Sequence, residues 1–230
     1  MRVFMQPIPP QTGFEWYQLE QISIRDNQEK LVDTQTLQHV KTRPMYFLQG
    51  ITEALATCYV RETIAKKLEQ ISMSLPQGYH LVVLDGWRPL SVQQQLREAF
   101  LKDIQQRFPH LSEQEQLKTL DQFVARPSDN PVRPSPHVTG GSVDVTICDE
   151  EGNLLDMGSA FDELVEASWT SALEGLAETP AQLNRRMLYH SMLAHGFSNM
   201  PSEWWHFDFG NQLWALRTGR EYAVYGIIAI

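Results

Sequence analysis

The chain has little cysteine, no long apolar run and a shortage of basic residues, and each absence excludes something. Cys58 and Cys148 are the only two cysteines among 230 residues, and their spacing is not that of a metal site. Two buried thiols in a reducing compartment are therefore expected rather than a disulfide framework. No stretch approaches 18 apolar residues, so no bilayer-spanning helix is expected. Met1-Arg-Val-Phe-Met-Gln-Pro-Ile-Pro-Pro10 lacks the apolar core of a signal peptide and is broken by prolines, which leads us to expect a cytoplasmic protein. Nineteen Lys and Arg against 28 Asp and Glu give a net charge of −9. That balance argues against nucleic acid or an anionic membrane as partner, because both select for basic patches. Internal repeats, low-complexity tracts and the helical His-Glu-x-x-His metal motif are also missing.

What is there is ordinary for a folded protein: 42% apolar and 20% charged residues. A chain of this length can bury roughly 70% of its unfolded surface in a single domain. Prolines at 7, 9, 10 and 44 make the first 45 or so residues an irregular N-terminal wrap. Leu55 to Met73 reads as an amphipathic helix, with Ile64, Ala65, Leu68, Ile71 and Ser72 on the 3.6-residue period and Pro76 and Gly78 beyond its end. Tyr79 to Leu84 reads as a strand ended by Asp85-Gly86, and Ser91 as the N-cap of a helix reaching about Phe108. A further helix runs from Ser112 to about Val124. Pro127, Pro131, Pro134 and Pro136 then make a stiff extended loop that leads directly to Ser135 and His137. Val143 to Ile147 reads as a strand, 181–195 as a helix closed by Gly196, and Trp204 to Phe209 as a last aromatic strand. Helices and strands segregate rather than alternate. The expected fold class is thus α+β, a single domain with a central antiparallel sheet and helices packed on it.

Two short segments carry the chemistry. Ser135-Pro-His137-Val-Thr-Gly140-Gly141-Ser-Val-Asp144 and Glu203-Trp-Trp-His206 offer two imidazoles and a carboxylate, with a glutamate to spare. A catalytic zinc takes three such ligands, keeps a fourth position open and lowers the pKa of bound water to roughly 7. His137 and Asp144 are seven apart, a spacing that a regular strand would send to opposite faces. Gly140-Gly141 resolves this, since glycine permits the positive-φ turn that folds His137 back beside Asp144. On a strand, Glu203 could not lie beside His206. It is expected at the strand entrance, outside the metal's ligand set, where it suits a general base. His39, His80, His110, His190 and His195 read as packed or surface residues. A serine nucleophile is disfavoured, because Gly140-Gly-Ser142-Val-Asp144 lacks the last glycine of the elbow motif.

The pattern Ser135-x-His137-x-x-Gly140-x-x-x-Asp144 with Glu203-x-x-His206 resembles the zinc D-Ala-D-Ala metallopeptidases. Three further segments are similar to the D-alanyl-D-alanine dipeptidase branch of vancomycin-resistance type: Asp85-Gly-Trp87-Arg88-Pro89, Met157-Gly-Ser-Ala-Phe161-Asp162, and Asn184-Arg185-Arg186 followed by Gly196-Phe197. That branch's Asn-Phe-x-Gly stands here as Tyr46-Phe47-Leu-Gln-Gly50. The resemblance implies one zinc ion on His137, Asp144 and His206, with Glu203 as general base and then acid. It also implies Arg88 at the oxyanion, Asp162 on the free ammonium of a small D,D-dipeptide, and Ser135 hydrogen-bonding nearby. The implied reaction is hydrolysis of D-alanyl-D-alanine. Alternatives are a D,D-carboxypeptidase or peptidoglycan endopeptidase of the same family, or a non-catalytic zinc-binding domain.

Overall fold

The computed structural model describes residues 6–230; residues 1–5, part of the segment read above for a signal peptide, lie outside the described residues. In chain order the elements are β1 (Ser23–Ile24), β2 (Leu31–Asp33), β3 (Lys41–Thr42), α1 (Met45–Leu48), β4 (Tyr59–Arg61), α2 (Glu62–Ser74), β5 (His80–Asp85), α3 (Leu90–Arg107), α4 (Glu113–Phe123), β6 (Ser142–Cys148), α5 (Pro180–Ala194), β7 (Ser198–Asn199), β8 (His206–Asp208), α6 (Gln212–Thr218) and β9 (Tyr222–Ala223). The main sheet has the order β3-β5-β6-β8-β7. It is antiparallel throughout except at one edge, where β3 runs parallel to β5. The α+β expectation holds, with that single parallel edge as a correction.

β6 is buried along its whole length, and its alternation sorts hydrophobic core from site. Val143, Val145 and Ile147 face a core built with Leu81 and Val83 of β5, Phe207 of β8, and the apolar stripes of α2 and α5. That core takes in residues from Ile8 to Tyr225, so both chain ends share it. Ser142, Asp144, Thr146 and Cys148 face the other way. The buried residues of α2 are Ile64, Ala65, Leu68, Ile71 and Ser72, the set its 3.6-residue spacing predicts. Each fully buried Leu or Ile among them stabilises the fold by about 1.5–3 kcal/mol. α4 starts as expected, with Ser112 accepting from Glu115 N while Glu115 reaches back to the Ser112 amide. Cys58 and Cys148 are buried free thiols. Among the described residues no helix is long and apolar enough to cross a membrane.

Three expectations need correction. The helix predicted from Leu55 starts only at Glu62, because Tyr59–Arg61 is instead claimed by antiparallel pairing with Leu31–Asp33. α3 begins one residue before Ser91, with Pro89 at its N-cap. The aromatic strand is shorter than expected: Trp204 and Trp205 lie in a turn, and β8 begins at His206.

Candidate metal centre and active site

Sheet register brings the ligand types together. Asp144 of β6 pairs directly with His206 of β8, and Ser142 with Asp208, so all four side chains share one face. On the other side of β6, an irregularity between Val83 and Asp85 sets Asp85 opposite Asp144. His137 arrives on a 3-10 turn, His137–Thr139, that ends at Gly140 with φ +68°. A side chain at Gly140 would be strained, and its Cβ would meet Leu31 at 2.7 Å. Of the Gly140-Gly141 pair, only Gly140 needs positive φ; Gly141 is required because a Cβ there would lie 2.9 Å from the Phe209 carbonyl.

The ring nitrogens are assigned by their neighbours. His137 Nδ1 lies 2.7 Å from the Gly86 carbonyl, so it carries the proton and leaves Nε2 with a lone pair. His206 Nε2 lies 3.1 Å from Asp208 Oδ2, and Asp208 Oδ1 accepts from Ser142 Oγ at 2.6 Å and Asn211 Nδ2 at 2.7 Å. That leaves His206 Nδ1 facing His137 Nε2 at 3.2 Å. Asp144 Oδ1 lies 3.2 Å from the same Nδ1 but lacks hydrogen-bond geometry and is buried without a donor. One donor atom from each of His137, Asp144 and His206 falls within 4.8 Å of the other two. Ligand bonds of about 2.0–2.1 Å in a tetrahedral zinc site set neighbouring donors roughly 3.3 Å apart. A buried carboxylate oxygen without a donor and two facing ring nitrogens make a donor set suited to a cation, so the residues fit a zinc ion. Without a cation a proton fills the role. Burial alone would lower His206, but the Asp208 and Asp144 carboxylates outweigh it and hold the imidazole well above its ordinary pKa. Burial, with the Arg88 charge, pulls His137 the other way, down to about 3.

Arg88 sits where β5 turns into α3 and spends its whole guanidinium inside the site. Nε donates to Asp85 Oδ2 (2.9 Å), Nη1 to Gln93 Oε1 (2.7 Å), and Nη2 to Tyr46 Oη and Asp144 Oδ2 (both 3.2 Å). Glu203 precedes β8 in a turn whose carbonyl accepts from Asn199 Nδ2, and its Oε2 is 3.8 Å from His206 Nδ1. Residues 203–205 lack strand geometry, so the odd spacing does not itself separate Glu203 from His206, although Glu203 does stand just before the strand. Burial pushes its carboxyl up to about 8; His206 opposes this, and Asp144 and Asp162 add to it. Asp162 lies in a turn with φ +61°. Burial, with the Asp144 charge, raises it to about 7, while Tyr46 and Arg88 pull down.

Arg88, His137, Asp144, Asp162, Glu203 and His206 all border one cavity of about 40 Å³, which Tyr46, Trp16 and Phe123 help to close. Ser135 is not among them. Its Oγ donates to the Arg126 carbonyl (3.0 Å) and accepts from Ser128 N (2.8 Å), stapling the proline loop. It borders a larger neighbouring cavity of about 640 Å³, which shares Trp16, Ala125 and Pro136 with the small one. Sequence reasoning assigned no role to Tyr46, Asp85, Gln93 or Asp208. Asp208 had a usable signal, since it lies two residues beyond His206 on a strand and therefore on the same face. Tyr46 stood in the altered Asn-Phe-x-Gly segment without a role, and Gln93 had no signal, because only the tertiary fold brings them to Arg88.

Comparison with known proteins gives the family. A family model described as D-ala-D-ala dipeptidase matches residues 29–224. A D-alanyl-D-alanine dipeptidase of Synechocystis is 29% identical over 215 residues, covering 84% of this chain and 87% of its own. One from Escherichia coli is 33% identical over 148 residues, 64% of each chain. One from Enterococcus faecalis is 31% identical over 131 residues, 56% of this chain and 62% of its own.

Proposed function

Since the chain belongs to the D-Ala-D-Ala dipeptidase family and is a peptidase, we propose that it hydrolyses D-alanyl-D-alanine to two D-alanines with one zinc ion. The observation that carries the metal is the orphaned, buried Asp144 Oδ1 among the facing nitrogens of His137 and His206. Held by these three residues, zinc would supply Lewis-acid activation of the attacking water and of the scissile carbonyl.

The chain's own residues do the rest. Glu203 takes a proton from the attacking water and returns it to the leaving amine, a contribution of roughly 10²–10⁴ in rate. The cationic field of zinc would bring its carboxyl down from the raised value of the metal-free site, so that it enters the reaction ionised. Arg88, clamped by Asp85 and Gln93, faces the developing oxyanion, worth about 10²–10³. Asp162 receives the free α-ammonium, a charge that only an unblocked dipeptide presents at that point. Ser135 acts at one remove, by shaping the loop that delivers His137.

Assaying the zinc-loaded protein against D-Ala-D-Ala, its N-acetyl derivative and cell-wall-length peptides tests this reading. The free dipeptide should be cleaved and the acetylated one refused, because a blocked nitrogen leaves Asp162 buried and unpaired at a cost of a few kcal/mol. One observation favours a second reading, a D,D-carboxypeptidase or endopeptidase: the 640 Å³ cavity beside the site could lodge a longer peptide. Efficient cleavage of the longer peptides would move the assignment there.

A further inference from the structure

Arg185 is 2% exposed on α5, and every donor it uses goes to one loop. Nε donates to the Met157 carbonyl (2.5 Å), Nη1 to the Trp169 carbonyl (2.8 Å), and Nη2 to the Ala167 carbonyl (2.6 Å) and Ser159 Oγ (3.3 Å). Two of these contacts lie at the start of the loop and two at its end. Residues 160–166 hang between them, with Asp162 near the middle. No carboxylate lies within ion-pair distance of Arg185 among the described residues, so a full charge is buried against three carbonyl dipoles, the Ser159 hydroxyl and the Trp204 ring, whose centroid is 5.9 Å from Cζ. Such an arrangement costs stability unless a fixed geometry is needed.

Other contacts support the same loop. Asn184 Nδ2 donates to the Asp156 carbonyl (2.8 Å), Trp204 Nε1 to Ser159 Oγ (3.0 Å), and Ser168 Oγ to the Glu163 carbonyl (2.5 Å). Phe161 packs edge-on against Trp205 at 5.4 Å and lies 5.7 Å from Tyr46. The span these contacts brace contains a strained residue, since φ +61° is unfavourable for aspartate.

We propose that Arg185 is a positioning residue for the substrate's ammonium, tying together both feet of the 157–169 loop so that Asp162 is held at the cavity. This rests on the role given to Asp162 above and deepens it. Lysine keeps the charge but cannot reach four acceptors with one fork. Arg185→Lys should therefore raise KM for D-Ala-D-Ala about tenfold, change kcat less than about threefold, and leave zinc content intact. It should also narrow the preference for the free over the N-acetylated dipeptide. Amide exchange should quicken in 157–169 and stay unchanged in α5.

A double-mutant cycle with Asp162→Asn separates positioning from plain stability. Once the carboxylate is gone, loosening its loop should add less than about twofold to KM. Multiplicative effects, or faster exchange throughout α5 with KM unmoved, would overturn the proposal. If Asp162→Asn alone leaves KM and the preference unchanged, the ammonium role fails and this inference fails with it. If Asp162→Asn behaves as expected but the cycle is additive in free energy, only the role of Arg185 is lost. Ser159→Ala, which removes the one hydroxyl bonded to both Arg185 and Trp204, covers the case in which Arg185→Lys does not fold. It should raise KM about threefold, and an unchanged KM would count against the proposal.

Discussion

At the scale of single residues, what each side chain already holds supports the proposed division between ligand and base. His137 and His206 each commit one ring nitrogen to an acceptor outside the cluster, the Gly86 carbonyl and Asp208, and turn the other inward. Such partners fix the tautomer and raise ligand basicity. Glu203 is 7% exposed, lies 3.8 Å from His206 Nδ1 and falls outside the cluster that His137, Asp144 and His206 form, which suits the proton relay proposed for it. Glu203→Gln should therefore keep zinc and fold while losing at least about 10² in kcat. His206→Ala should do the opposite first, losing the metal in elemental analysis of dialysed protein. If Glu203→Gln lost its zinc, or His206→Ala kept it with unchanged affinity, the two roles would have to be exchanged.

At the scale of elements, much was legible where local pattern and tertiary demand agree. The buried face of α2, the capped start of α4, and β6 with its glycine turn all follow from spacing and side-chain chemistry. Legibility failed where a distant partner overrode local preference. Residues 59–61 carry no strand signal apart from the helix beside them; pairing with residues 31–33 makes them β4. The parallel edge strand β3 and the short β8 are likewise decided by neighbours far away in sequence. Of the candidate site, the residues that cluster, His137, Asp144 and His206 with Glu203 beside them, could be picked out by residue type, whereas the network around Arg88 could not, since Tyr46 and Gln93 reach it only through the fold.

The corner after β5 shows how tightly that fold holds the site. A Cβ on Gly86 would lie 2.4 Å from the Tyr59 carbonyl, the same oxygen that accepts from Trp87 N. Its own carbonyl orients His137. Gly86→Ala should cost about 1–3 kcal/mol by overpacking, a fall of several degrees in Tm, and weaken zinc binding as well. Gly13→Ala, with nothing within 4 Å, should change neither. Equal effects from both substitutions would mean that the corner is not the constraint described.

At the scale of the whole molecule, metal and proton compete for one place, and folding stability should report the competition. In metal-free protein the folded-state pKa of His206 is raised by Asp208 and Asp144. Its contribution is then fully present below the unfolded value, about 6.5, and is lost as pH rises through the folded value. Asp144 and Asp208 have depressed pKa values. Burial opposes the shift in both, but His137 and His206 outweigh it at Asp144, and His206 at Asp208. Their contribution is present above the unfolded carboxylate range and lost as pH falls through the folded values, with metal or without it. Zinc held as proposed would require His206 deprotonated, so its binding would release a proton and strengthen by up to about tenfold per pH unit while that proton remains bound. A ligand that binds only the folded state stabilises by roughly 4 kcal/mol at a thousand times its Kd. The gap in Tm between zinc-loaded and chelator-treated protein should therefore widen from pH 6 to pH 9, chiefly because the metal-free protein weakens while the loaded one, with His206 unprotonated both folded and unfolded, stays nearly level. Calorimetric scans across that range, with and without chelator, measure it directly. In His206→Ala the gap should vanish at every pH. A gap that is constant with pH in the wild type would mean that no proton is displaced, and that His206 is not a ligand.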